Sequence, residues 1–189
     1  MRRDRLPHVF FAALGGIALT LALAGPRALV ALAYRRDAIL LRGEAWRLLT
    51  THLVHMDARH LAWNLAGLAL PWLVFARRLP ALGWTAVAAA AGLAASLGML
   101  FLHADVRAMA GLSAVVHGLM AAGAVVEVRR GQRAAWLFLA ALGAKLAWEQ
   151  LGGATAAGRF LGGGVAVDAH LYAAMAGALA APFVRLPRD

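Results

Sequence analysis

The chain has 189 residues, of which 62% are hydrophobic and only 15% charged, whereas a water-soluble domain of this size is nearer half apolar and about a quarter charged. The formal charge of +10 comes from 18 Arg and one Lys, many of them in short clusters between apolar runs (Arg2-Arg3-Arg5, Arg77-Arg78, Arg129-Arg130-Arg133), which is the pattern of topology-setting loops and not of a nucleic-acid-binding face. The absence of cysteine excludes disulfides, thiolate catalysis and cysteine-ligated metals.

Six stretches have the length and composition of membrane helices, for which about 20 apolar residues cover a hydrocarbon core about 30 Å thick. They run over 8–24, 60–76, 82–103, 112–128, 134–152 and 167–184. None alternates like a strand, and Ala, Leu and Gly outnumber β-branched residues, so the expectation is an all-α, polytopic membrane protein forming one domain over 1–189. The first stretch, with Arg2, Arg3 and Arg5 before it and Ala22-Leu23-Ala24 at its end, also resembles a cleavable signal peptide. In either case the N-terminus starts in the cytoplasm. Gly25-Pro26 ends this helix, because proline removes a backbone donor and clashes with the preceding turn.

Segment 25–59 is too polar to span. Its apolar residues, among them Leu29, Val30, Ile39 and Leu40, predict short amphipathic helices at the interface, and Trp46 suits the interfacial preference of aromatic rings. His52, His55 and, later, His103 are expected in wet loops. Glu127 and Glu149 are expected near helix ends, and Lys145 is free to snorkel. With the N-terminus inside, ten Arg fall on the cytoplasmic side and eight on the other; every short inner turn carries a tight Arg cluster, and the outer excess lies in one long segment, 25–59. Both termini are therefore expected in the cytoplasm.

Alternating crossings make the second, fourth and sixth helices run from outside to inside. The polar residues collect at the starts of those three: His60 and Asn64, Ser113 and His117, and His170. Ionisable groups within membrane segments are costly and point to function. A serine with a histidine base is the minimal machinery for acyl transfer, the imidazole taking the hydroxyl proton and later giving it to the leaving amine. Ser113 follows Gly111 at a helix start, where unpaired N–H groups and the positive dipole end favour a developing oxyanion. Gly111 and Ala114 leave room for a substrate backbone. Asn64 can donate its amide to the same oxyanion, and His60 shares its helix face. Two imidazoles compete for the role of base: His117, four residues after Ser113 on the same helix, and His170 from another helix.

A metal site is the rival chemistry, since His52, His55 and His60 are spaced HxxHxxxxH, with His117 and His170 available to join them. The HExxH pattern is absent and no carboxylate is expected beside these histidines, so neither a metal nor any other cofactor is expected.

These residues resemble the rhomboid family of intramembrane serine proteases, over about Glu44 to Val184. EAWRLLTTHLVHMDARHLAWNL matches a Trp-Arg pair (Trp46, Arg47) followed by HxxxN (His60, Asn64). GLSAVVHGLM resembles the GxSG nucleophile segment, and VDAHLYAAMAG the AHxxGxxxG segment of the last helix. The resemblance implies Ser113 as nucleophile and His170 as general base in a dyad without a carboxylate. It implies His60 and Asn64 at the oxyanion, and supporting places for Gly111, His117, Trp46 and Arg47. It also implies a membrane-embedded first loop (25–59), a mobile cap around Gly162-Gly163-Gly164, and a water-filled cavity open to the outer side of a bacterial inner membrane. The expected partners are the lipid bilayer and transmembrane protein substrates, with no nucleic acid and no particular oligomeric state.

The short chain and His117, where many rhomboids carry an aromatic residue, resemble the rhombosortase branch, linked to bacterial proteins with a Gly-Gly C-terminal anchor. Ala114 and Ala173 depart from the family's glycines, although alanine still permits close helix contact. Two other classes stay open at this point: an inactive rhomboid-like protein that binds membrane substrates, and a metal-handling membrane protein or transporter.

Overall fold

The computed structural model describes residues 6–152 and 166–184. In chain order these form α1 (Leu6–Leu23), α2 (Pro26–Leu32), β1 (Tyr34–Arg35), α3 (Arg36–Arg42), α4 (Arg47–Thr50), α5 (Ala58–Phe75), α6 (Ala81–Leu102), β2 (Ala108–Met109), α7 (Ser113–Arg129), α8 (Ala134–Gln150) and α9 (Val167–Ala180). Short 3₁₀ turns follow α4, α5 and α9. Among the described residues the protein is thus all-α apart from one two-residue ladder, in which Tyr34 pairs with Met109 and Arg35 with Ala108, antiparallel.

The six long helices fall within a few residues of the apolar stretches in the sequence. Among the described residues, only α6, with 22 residues, is by itself long and apolar enough to cross a membrane. α1 and α2 pass that test only as a pair, and they bend by 116° at Gly25-Pro26. α7 and α8 have 17 residues each and α9 has 14, which at about 1.5 Å per residue leaves α9 short of a full crossing by itself.

α7 is the central helix. Residues Ala114–Ala124, Val126 and Glu127 are all buried, so the helix is enclosed on every side rather than amphipathic. The elements around it keep apolar residues on the outside: Leu82, Leu137 and Phe183 are 79%, 74% and 88% exposed. Large exposed apolar surface of that kind suits a lipid environment. Where α7 meets α9 the backbones touch, since a Cβ added at Gly177 would stand 2.1 Å from the carbonyl oxygen of Gly118. Ala173, one turn before Gly177, is fully buried at the same face.

Segment 25–59 folds as short helices that brace the bundle. The Arg47 guanidinium is buried and donates to the carbonyls of Val30 at 2.9 Å and Ala33 at 2.7 Å, satisfying orphan groups at the end of α2. Its Nε donates to Glu44 at 2.5 Å. Arg36 reaches the carbonyl of Leu100 at the end of α6. At another level of the bundle, Arg78 pairs with Glu127, and Arg129 donates to the carbonyl of Ala181 at 3.2 Å.

Candidate active site

α7 begins at Ser113, so its first N–H groups have no partner one turn earlier in the helix. The turn before it needs Gly111, whose φ of +119° lies in a region closed to L side chains. A Cβ there would also stand 2.5 Å from the His60 ring. The neighbouring segment pins this turn from both sides. The Gly111 N–H donates to the carbonyl of Thr51 at 3.0 Å, and the Thr51 hydroxyl donates to that of Met109 at 2.7 Å.

The side chain of Ser113 is only partly buried, whereas the histidines around it are buried. Its Oγ lies 2.9 Å from Nε2 of His170, in the first turns of α9. His117, one turn further along α7, uses its Nδ1 on the Ser113 backbone carbonyl at 2.7 Å and not on the hydroxyl. Its ring stacks on that of His170, with centroids 4.2 Å apart and planes at 14°. Of the two imidazoles that the sequence left in competition, it is therefore His170 that faces the hydroxyl.

α5 supplies the other side. Asp57 caps it by accepting from the backbone N–H of His60 at 2.8 Å. Both His60 and Asn64 are buried and lie against Gly111. The Asn64 amide donates one hydrogen to the carbonyl of His60 at 3.0 Å, and an amide has a second hydrogen to give. Nδ1 of His60 is buried without a partner. Trp46 and Arg47 are not part of this group: Arg47 serves the first segment's own carbonyls, and Trp46 is 53% exposed.

Three expectations are corrected here. His52 and His55 are not in wet loops. His52 is buried, with Nε2 2.9 Å from the carbonyl of Gly92 and 3.1 Å from the Ser96 hydroxyl. His55 packs edge-on to His60, and burial first, with the neighbouring His60 second, pushes its pKa down to about 4. The reason is that the 51–56 segment folds back over α5 and α6 instead of standing away from them. A carboxylate does accompany the histidines: Glu149, at the end of α8, has its carboxylate 3.1 Å from Nδ1 of His170 and a fully buried side chain. Lys145, whose side chain is partly exposed, donates its ammonium to the same carboxylate at 2.6 Å. The expected cap around Gly162-Gly163-Gly164 lies outside the described residues. Glu149 was open to detection as an ionisable residue in an apolar helix with an opposite charge one turn before it.

The HxxHxxxxH spacing does not gather a metal site, because His52 faces α6. Among the described residues, three potential ligands do lie together: His117, Glu149 and His170, with ligand atoms within 4.8 Å of one another. The fit is poor. Both nitrogens of His170 already have partners, His117 uses one nitrogen on a carbonyl, and the Lys145 cation stands on the same carboxylate. Two clefts, of about 540 and 530 Å³, open beside Trp72 and Arg77 and beside Leu29 and Arg107, and neither is lined by Ser113.

A family model described as the Rhomboid domain matches residues 42–187. No curated protein matches the chain.

Proposed function

Because the chain belongs to the rhomboid family, we propose that it is a serine endopeptidase working within the membrane, with Ser113 as nucleophile and His170 as general base. The family consists of integral membrane proteins, in general intramembrane serine proteases that act on membrane-protein substrates. The observation that carries the reading for this chain is the 2.9 Å approach of His170 Nε2 to Ser113 Oγ at the start of a helix.

In the proposed reaction Nε2 takes the hydroxyl proton as Oγ attacks the scissile carbonyl carbon. The negative charge on the former carbonyl oxygen meets the first N–H groups of α7, the free hydrogen of the Asn64 amide and the ring of His60. His170 then protonates the leaving amine as the C–N bond breaks, leaving an acyl-Ser113 ester. Water, deprotonated by the same imidazole, hydrolyses that ester. Its proton returns to Ser113 as the acid product leaves.

We further propose six crossings with both termini in the cytoplasm and the site facing the outer side of a bacterial inner membrane. The first segment (25–59) would lie within the membrane surface, and all of the chain would form one domain. The substrate class would be that of the rhombosortase branch, proteins with a Gly-Gly C-terminal anchor, suggested by His117 stacked on the base. An inactive binding role is less well supported, because Ser113 and His170 are both present and adjacent.

The test is labelling of purified protein by a fluorophosphonate probe, with EDTA present throughout. Ser113→Ala and His170→Ala should each abolish labelling, and the double variant should lose no more than either one. Labelling that survives Ser113→Ala would overturn the reading. Loss on chelation with recovery on added zinc would transfer the function to the His117, Glu149 and His170 group as a metal site.

A further inference from the structure

The protease reading above uses only one nitrogen of His170, and the structure gives the other an unusual neighbour for a buried site. Nδ1 of His170 lies 3.1 Å and 3.3 Å from the two carboxylate oxygens of Glu149. That side chain is 0% exposed, and His170 itself is 5% exposed at its side chain. A buried carboxylate needs a partner for each oxygen. Glu149 has two, the His170 imidazole and Lys145, whose ammonium lies 2.6 Å away and whose side chain is 43% exposed.

Resting on that reading, we propose that Glu149 is a positioning residue that holds the His170 imidazole in the tautomer the reaction needs, completing a Ser113–His170–Glu149 relay. A carboxylate accepts and cannot donate, so the hydrogen between it and Nδ1 belongs to the ring. A neutral imidazole with hydrogen on Nδ1 has its lone pair on Nε2, and Nε2 is the atom that faces Ser113 Oγ. With the hydrogen on Nε2 instead, the ring would donate to the serine and could not take its proton. The ring is also held on its face by His117, so the orientation is fixed at both nitrogens and across the plane. When the proton moves from Oγ to Nε2, the imidazolium forms beside a buried carboxylate and is stabilised there, while the carboxylate keeps its charge. Lys145 donates to the same carboxylate from a partly exposed position, a contact that a glutamine amide there can also make.

The purely structural alternative is that Glu149 exists to pair with Lys145 or to tie α8 to α9. The experiment separates the two with the fluorophosphonate probe on the purified full-length protein in detergent, reading the maximal inactivation rate and the probe affinity separately. Glu149→Gln keeps the shape and allows the amide to donate to Nδ1. It should lower the maximal rate by roughly 10²–10⁴-fold, with affinity changed by less than about twofold. Glu149→Asp should recover at least about tenfold of that loss, and Lys145→Gln should stay within about threefold of the wild type. A second reading needs no folded Glu149 variant. In the unaltered protein, ¹⁵N NMR of the His170 ring, identified by its loss in His170→Asn, should show hydrogen on Nδ1 and none on Nε2. Glu149→Gln at the wild-type rate, a fall in Lys145→Gln equal to that in Glu149→Gln, or hydrogen on Nε2 would each overturn the proposal. If Ser113→Ala still labels, it is the protease reading itself that fails, which none of the Glu149 outcomes can mimic.

Discussion

His117 and His170 carry the same ring, and their difference lies in what each nitrogen faces. His117 sits one turn after Ser113, and its Nδ1 is taken by the carbonyl of that turn, as expected for a side chain leaning back toward the helix start. His170 arrives from the side and meets the hydroxyl itself. His117→Phe should therefore leave measurable probe labelling, because an aromatic face can still stack on His170. A dead His117→Phe beside an active His170→Ala would reverse the two roles. Asn64 is a different case. Its amide already spends one hydrogen on its own helix, so its catalytic worth would rest on the other, offered when the oxyanion forms. Asn64→Ala should lower kcat by about 10²–10³-fold with a smaller change in KM, since such a contact strengthens only in the transition state. An unchanged kcat would remove Asn64 from the site.

At the scale of elements, the relation between Ser113 and His170 is set by the crossing of α7 and α9. Gly118 lies five residues after Ser113 and Gly177 seven after His170, and their backbones touch. Any side chain at Gly177 would push α9 outward and carry His170 away from the hydroxyl. Gly177→Leu should therefore lose both probe labelling and thermal stability, the latter by at least about 1–3 kcal/mol, the usual cost of overpacking. Gly143, on the exposed face of α8, is the control, because a Cβ there meets nothing within 4 Å. Gly143→Ala should keep labelling and hold or raise the melting temperature, since alanine favours a helix by about 0.5–1 kcal/mol over glycine. Equal damage from both would show that the crossing is not what aligns the site. The two departures from the family's glycines fit this packing: Ala114 and Ala173 are 3% and 0% exposed, and their methyl groups are accommodated close to a contact that elsewhere admits only glycine.

For the whole molecule, the distribution of charge and of exposed apolar side chains is the telling feature. Arg78 and Arg129 work with Glu127 and the end of α9, whereas Glu149, His170 and Ser113 gather where α8 ends and α7 and α9 begin. If the helices cross as proposed, reporter domains fused after Gly131 and after Gly152 should report opposite sides of the membrane; the same side for both would end the six-crossing arrangement. The sequence by itself determined the helical segmentation, because apolar runs of helix length bounded by Gly, Pro and Arg leave the backbone few other ways to satisfy its polar groups. It also determined that His60, Asn64, Ser113, His117 and His170 fall at the starts of alternate helices, since each sits at a fixed place in its own apolar run. Only the tertiary structure decided which side chains meet. His52 is buried because it binds the carbonyl of Gly92, and backbone carbonyls leave no mark in a pattern of residue types. Glu149 reads in sequence as one member of an i, i+4 ion pair, and that pair looks the same whether it faces lipid headgroups or another helix. Its approach to His170 depends on how far α8 extends and how it rotates against α9, and those are fixed by packing between residues distant in the chain, not by the local sequence of either helix.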